Sequence, residues 1–113
     1  MTRVRVMYWK EIPVQVQAEG QTGRATRQLS ERFQKAVDAI AMKDGSVGTD
    51  EYLDGWGFGP YTEVQGEPEY EARLLADRLE HMPRDFVRRI VDMHDSGTRI
   101  TEPGSIDHWA VVE

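Results

Sequence analysis

The stretch TRVRVMYWKEIPVQVQAEG, Thr2 to Gly20, decides the fold class through the spacing of its apolar residues. Val4, Val6 and Tyr8 alternate with Arg3, Arg5 and Met7, and Val14, Val16 and Ala18 alternate with Gln15, Gln17 and Glu19. A period of two sends successive side chains to opposite faces, so each run reads as a half-buried strand and the pair as a hairpin with its loop at Trp9 to Pro13. Trp9 falls in phase with the polar set, so it is exposed unless the C-terminal tail or a neighbouring loop covers it.

Past Gly20 the period becomes helical. Leu29, Phe33, Ala36, Val37, Ile40 and Ala41 recur at three-and-four spacing, Ser30 offers a cap, Asp44-Gly45 stops the run, and Glu31 with Lys35 pairs on the outer side. Thr49 can cap a short turn through Glu51, Tyr52 and Leu53, which the run GWGFGP (Gly55 to Pro60) ends, and a long loop follows to about Gly66. Pro68 suits the start of a second helix with Ala72, Leu75, Ala76 and Leu79 on one face and a Glu69–Arg73 pair on another. Pro83 opens a third, striped by Phe86, Val87, Ile90, Met93 and His94, with an Asp85–Arg89 pair outside and a stop at Ser96-Gly97. Trp109 to Val112 could add a C-terminal strand to the hairpin. The fold class is α+β, a small antiparallel sheet packed on one face against two or three helices.

The 113 residues, 39% hydrophobic and 30% charged, are enough for one domain with one core. A net charge of −6 disfavours nucleic acid, whose binding needs a basic face to displace counterions. There is no cysteine, hence no disulfide framework and no thiolate site. The N-terminus MTRVRVMYW lacks the apolar core of a signal peptide, and no apolar run approaches the roughly 20 residues that cross a bilayer. The chain reads as cytoplasmic, with no membrane partner.

No motif spells out a reaction. The three histidines, His81, His94 and His108, are scattered, whereas a metal site needs several converging ligands, so no metal, cofactor or catalytic residue is assigned. Asp50 and Asp54 lie one turn apart at a helix start, where negative charge complements the dipole. The acidic stretch Glu63 to Glu71, without a basic residue, reads first as a solvated loop and helix start and only second as a strip for a basic partner. What stands out is the aromatics among glycines. Trp9, Lys10 and Glu11 at the hairpin tip, with Trp56, Phe58 and Tyr61 in the glycine-rich loop, are the candidate partner- or ligand-binding residues. The bland alternative is that these aromatics seal the edge of the core.

YWKEIPVQVQAE, LSERFQKAVDAIAMKDG and GTDEYLDGWGFG, in this order, resemble the small bacterial "virulence factor" domain, which also ends the conserved virulence factor C proteins. The resemblance makes residues 1–113 a single such domain, with the family core at about 4–82 and a C-terminal extension at 83–113. It assigns no catalytic residue. It also implies a neighbourhood of folate-linked one-carbon metabolism and corrinoid methyl transfer. The expectation is a non-catalytic accessory module docking onto a larger cytoplasmic protein. The alternative is a small enzyme or ligand carrier with a pocket between the hairpin tip and the aromatic loop, and a homodimer through an apolar patch is a further option.

Overall fold

The structure, a computed structural model, describes residues 1–111. The alternating stretch forms β1 (Thr2–Trp9) and β2 (Ile12–Gly20), joined by the two-residue turn Lys10-Glu11. In that turn Lys10 adopts a positive φ of 49°, which side chains other than glycine rarely hold. It is fixed from both ends, because its N–H donates to the Gly55 carbonyl at 2.7 Å and its ammonium is bound by acidic groups described below.

Three further strands complete one antiparallel sheet. β3 (Gly23–Gln28) pairs with β2, while β4 (Trp56–Phe58) and β5 (Thr62–Val64) pair in succession along the other side of β1. The sheet is therefore larger than the hairpin expected from periodicity. β3 was not expected because GRATRQ buries only Ala25. The long loop expected before Gly66 instead contains β4 and β5, each of three residues and separated by Gly59, Pro60 and Tyr61. The C-terminal segment does not supply the strand considered for it: Asp107–Trp109 is a 3-10 turn, Ala110 and Val111 are in no strand, and Val112 lies outside the described residues.

The helices are α1 (Glu31–Asp44), the short α2 (Asp50–Asp54), α3 (Pro68–Leu79) and α4 (Phe86–Ser96). Gly45 and Gly97 end α1 and α4 in the left-handed conformation, at φ of 82° and 78°, as their sequence positions suggest. Ser30 sits at the N-cap of α1, but its hydroxyl donates to the Glu80 carboxylate at 2.8 Å instead of reaching a helix amide. Glu31–Lys35 and Asp85–Arg89 form as expected, at 3.6 and 3.0 Å. Glu69 reaches across to Arg27 of β3 at 3.6 Å, in place of the expected Arg73.

One face of the sheet is covered. Val4, Val6, Val14 and Val16 are buried in one cluster with Phe33, Val37 and Ile40 of α1, Leu79 of α3, and Phe86 and Ile90 of α4. Leu75 is only partly buried, on the side of α3 that looks toward β5. The rings of Phe33 and Phe86 lie 5.4 Å apart, and Arg32 closes the α3–α4 connection by donating to the carbonyls of Glu80 and Met82 at 2.7 and 2.9 Å. The opposite face carries Arg3, Arg5 and Met7 of β1 beside Glu19, Gln17 and Gln15 of β2. None of these residues is buried.

Candidate interaction surfaces

The six candidate residues divide into two groups that face different surroundings. Trp9 is 0% exposed and Glu11 1% exposed, so neither is available at the surface. Trp9 has the strand phase of an outward residue, yet α2 and the start of the glycine-rich loop lie over it. Its indole N–H donates to the Tyr52 carbonyl at 2.8 Å, and its ring lies 5.8 Å from that of Tyr52, which meets half-buried Trp56 edge-on at 6.2 Å. Gly55 permits this approach, since a Cβ there would stand 2.6 Å from the indole nitrogen. Hairpin tip and aromatic loop thus meet, but by packing into each other.

The charged residues of the same tip bind inward. Arg99, from the segment after α4, donates to both carboxylate oxygens of Glu11 at 2.7 and 2.8 Å and to Asp44 at 2.9 Å. Lys10 donates to Asp44, Ser46 and Glu51 at 2.8, 2.9 and 2.7 Å, and the single proton of the Ser46 hydroxyl has Asp44 and Glu51 as alternative acceptors. Burial alone would raise the Asp44 carboxyl, but hydrogen bonds from Lys10, Ser46 and Arg99 outweigh it and hold the group well below the usual carboxylate range. Burial likewise opposes charge on Arg99, and its bonds to Glu11 and Asp44 reverse that and raise it. Hydrogen bonds from Lys10 and Ser46 lower Glu51, so this residue serves the cluster besides starting a helix. Ser46 is 1% exposed, with its hydroxyl shared among Lys10, Asp44 and Glu51. The arrangement is a clamp that ties the hairpin, α1, α2 and the tail together, and it offers no open nucleophile.

Phe58 and Tyr61 form the second group, 47% and 38% exposed on the uncovered side of the sheet. Phe58 pairs with Met7 in β4, which places its ring beside the side chain of Arg5. The Arg5 guanidinium lies 3.7 Å from the centre of the Phe58 ring and 4.7 Å from that of Tyr61, and the Arg3 guanidinium lies 4.1 Å over Tyr61. Arg3 also donates to Glu19 at 2.6 Å and Arg5 to Gln17 at 3.1 Å. Arginine stacked on exposed rings makes a plate of the residue types that supply anchors at protein interfaces.

The histidines stay apart. His81 Nδ1 lies 2.8 Å from the Asp77 carbonyl, His94 is near the end of α4, and His108 meets Trp109 edge-on at 6.1 Å. Among the described residues no three His, Asp or Glu side chains come together in a way that could hold a metal. Also among the described residues, no helix is long and apolar enough to cross a membrane.

A family model described as "Virulence factor" matches residues 7–91. The chain belongs to the virulence factor family. No curated protein and no solved structure matches it. The matched span of this virulence factor domain starts within β1 and ends within α4. It includes Trp9, Lys10, Glu11, Asp44, Ser46, Glu51, Trp56, Phe58 and Tyr61, while Arg3, Arg5 and Arg99 fall outside it. In sequence the two arginines of the stacked plate are only the polar side of a strand, because nothing there shows that a second strand brings Phe58 beside them. Arg99 had no signal at all, since it reaches Glu11 from 88 positions away.

Proposed function

We propose that this domain is a non-catalytic accessory module that docks onto a larger cytoplasmic protein through the uncovered face of its sheet. The observation that carries the reading is the exposed stack of Arg3 and Arg5 on Phe58 and Tyr61, at 3.7 to 4.7 Å. A folded domain gains little from leaving two aromatic rings on an open sheet, whereas a partner surface gains buried area and two guanidinium groups already held over those rings. Trp9 and Trp56 act indirectly, by pairing β1 with β4, and Lys10 and Glu11 by tying the hairpin tip to α1, α2 and the tail. The one-carbon setting rests on the family resemblance and selects the first partners to test, folate- and corrinoid-linked enzymes.

The ligand-carrier alternative needs open space between hairpin tip and aromatic loop, and there the Trp9, Tyr52 and Trp56 rings are in contact. The test is affinity capture from native cells followed by mass spectrometry, with the wild type beside Phe58→Ala/Tyr61→Ala and Arg5→Glu. A specific partner held by the wild type and lost by both variants, each still folded, supports docking through this face. Retention of every partner by both variants defeats it.

A further inference from the structure

We infer that the cleft between β5 and α3 binds an extended cationic peptide segment, which adds to β5 as a further strand. This surface is separate from the stacked plate, and its failure would leave the docking reading standing.

The backbone provides the first reason. Among the described residues β5 pairs with β1 alone, so its other edge offers unpaired N–H and C=O groups, the template on which a strand can be added. The side chains beside that edge form a slot. Thr62 and Val64 stand opposite buried Val4 and Thr2, hence point toward the helical layer, and with Leu74 and Leu75 of α3 they wall a cleft of about 520 Å³. Leu74 is 53% exposed there. A strand on the edge of β5 would turn every second side chain into this slot.

The cleft continues past Val4, Thr62 and Leu75 into a second hollow of about 360 Å³, which reaches Tyr8 and Asp107 between Pro60 and Gly104. Here the Tyr8 hydroxyl donates to Asp107 Oδ2 at 2.5 Å. The other carboxylate oxygen, Oδ1, is buried and receives no hydrogen bond among the described residues. Oδ1 is closed to solvent, so a cation in the hollow would meet this carboxylate through its charge and not through a bond to that oxygen. Burial pushes the Asp107 carboxyl up, with the Tyr8 hydrogen bond and the charges of Arg78 and His108 opposing it, and a further ammonium or guanidinium in the hollow would act in the same sense as those two.

Charge selects the same occupant. Glu71, which already accepts from the Gly66 N–H, with Asp77 and Asp107 lines the two hollows against Arg78 and His81, while the guanidinium of Arg5 is turned to the outer face, on Phe58. Glu63 stands at the rim on β5. A second copy of the chain is disfavoured at this edge, because self-pairing of a three-residue strand centred on Glu63 would bring the two Glu63 side chains together. An apolar side chain in the Leu74–Val64 slot, followed by a lysine or arginine toward Asp107, fits every wall.

The test begins with a displayed library of roughly nine-residue peptides, long enough for one strand, selected against the full chain. Enrichment of sequences that carry an apolar residue and a lysine or arginine two or four positions apart, on one strand face, is expected. A synthetic consensus peptide should then slow hydrogen exchange at amides of residues 62–64 by about tenfold or more, the mark of strand addition. Leu74→Arg should weaken binding about tenfold. Replacing the peptide lysine by norleucine should weaken it roughly fivefold on the wild type and hardly at all on Asp107→Asn. Folding of each variant is checked by circular dichroism, and if Asp107→Asn is unfolded, Leu74→Arg and the norleucine comparison on the wild type decide. No enrichment, enrichment of acidic peptides, unchanged binding by folded Leu74→Arg, or a dimer in sedimentation that Leu74→Arg dissociates would each overturn the inference, the last in favour of a second copy.

Discussion

Replacing Arg99 by alanine removes the only cation bonded to Glu11 among the described residues and one of two bonded to Asp44. The side chains of Glu11 and Asp44 are 1% and 3% exposed, so both carboxylates are buried with Arg99 as their shared partner. Breaking a buried pair in this way leaves an uncompensated charge and costs about 3 to 5 kcal/mol. At about 4 °C for each kcal/mol in a domain of this size, the melting temperature should fall by roughly 12 to 20 °C. Because the loss comes from the stranded carboxylate, Arg99→Met with Glu11→Leu, an apolar pair in the same space, should recover most of it. The pH dependence has a definite sign. Asp44 is held below its unfolded value, so its contribution is complete above about pH 4 and decays as acid titrates the folded group. Arg99→Ala removes one lowering partner, so the loss should still begin near the unfolded carboxyl value, about pH 4, but be smaller and complete at a higher pH than in the wild type. Thermal melts at pH 7, 5 and 3 provide the assay. An Arg99→Ala protein melting within about 2 °C of the wild type at pH 7, less than a single kcal/mol would produce, would refute the clamp.

Phe33→Ala or Leu79→Ala should each cost about 2 to 5 kcal/mol in chemical denaturation, and a neutral result would contradict the packing of the helices on the sheet. Trp9→Ala should cost about 3 to 5 kcal/mol, since the indole is wholly buried. Partner capture by whatever fraction of that variant stays folded should persist, and loss of capture without loss of stability would return Trp9 to the binding surface.

The parts of the fold legible in sequence are those in which a periodic apolar face meets the core. β1, β2 and the helices announce themselves through Val4, Val6, Phe33, Val37, Phe86 and Ile90, whose spacing has no other use. β3, β4 and β5 are edge strands, short or polar, and they exist because β1 and β2 present hydrogen-bonding edges to them. That is a tertiary cause with no local sequence counterpart. The candidate site was legible as a set of residue types, but not as an arrangement. Trp9 and Phe58 are both aromatics beside glycines; one lies under Tyr52 and Trp56 and the other stacks on Arg5, a difference decided by which chain segment crosses over each. The charge clamp was invisible because its members are ordinary surface-type residues, which burial alone converts into a structural unit.

The central claim is that the stacked face of the sheet is the docking surface, and a photocrosslinking residue placed there tests it most directly. p-Benzoylphenylalanine at Tyr61, compared with the same group at Ala39 on the exposed side of α1, would be activated in native cells and the adducts resolved by size and mass spectrometry. The account predicts a discrete larger adduct from position 61, reduced by Arg5→Glu and missing from position 39. Adducts of the same identity and yield from both positions, or none from position 61 in a folded protein, would contradict it.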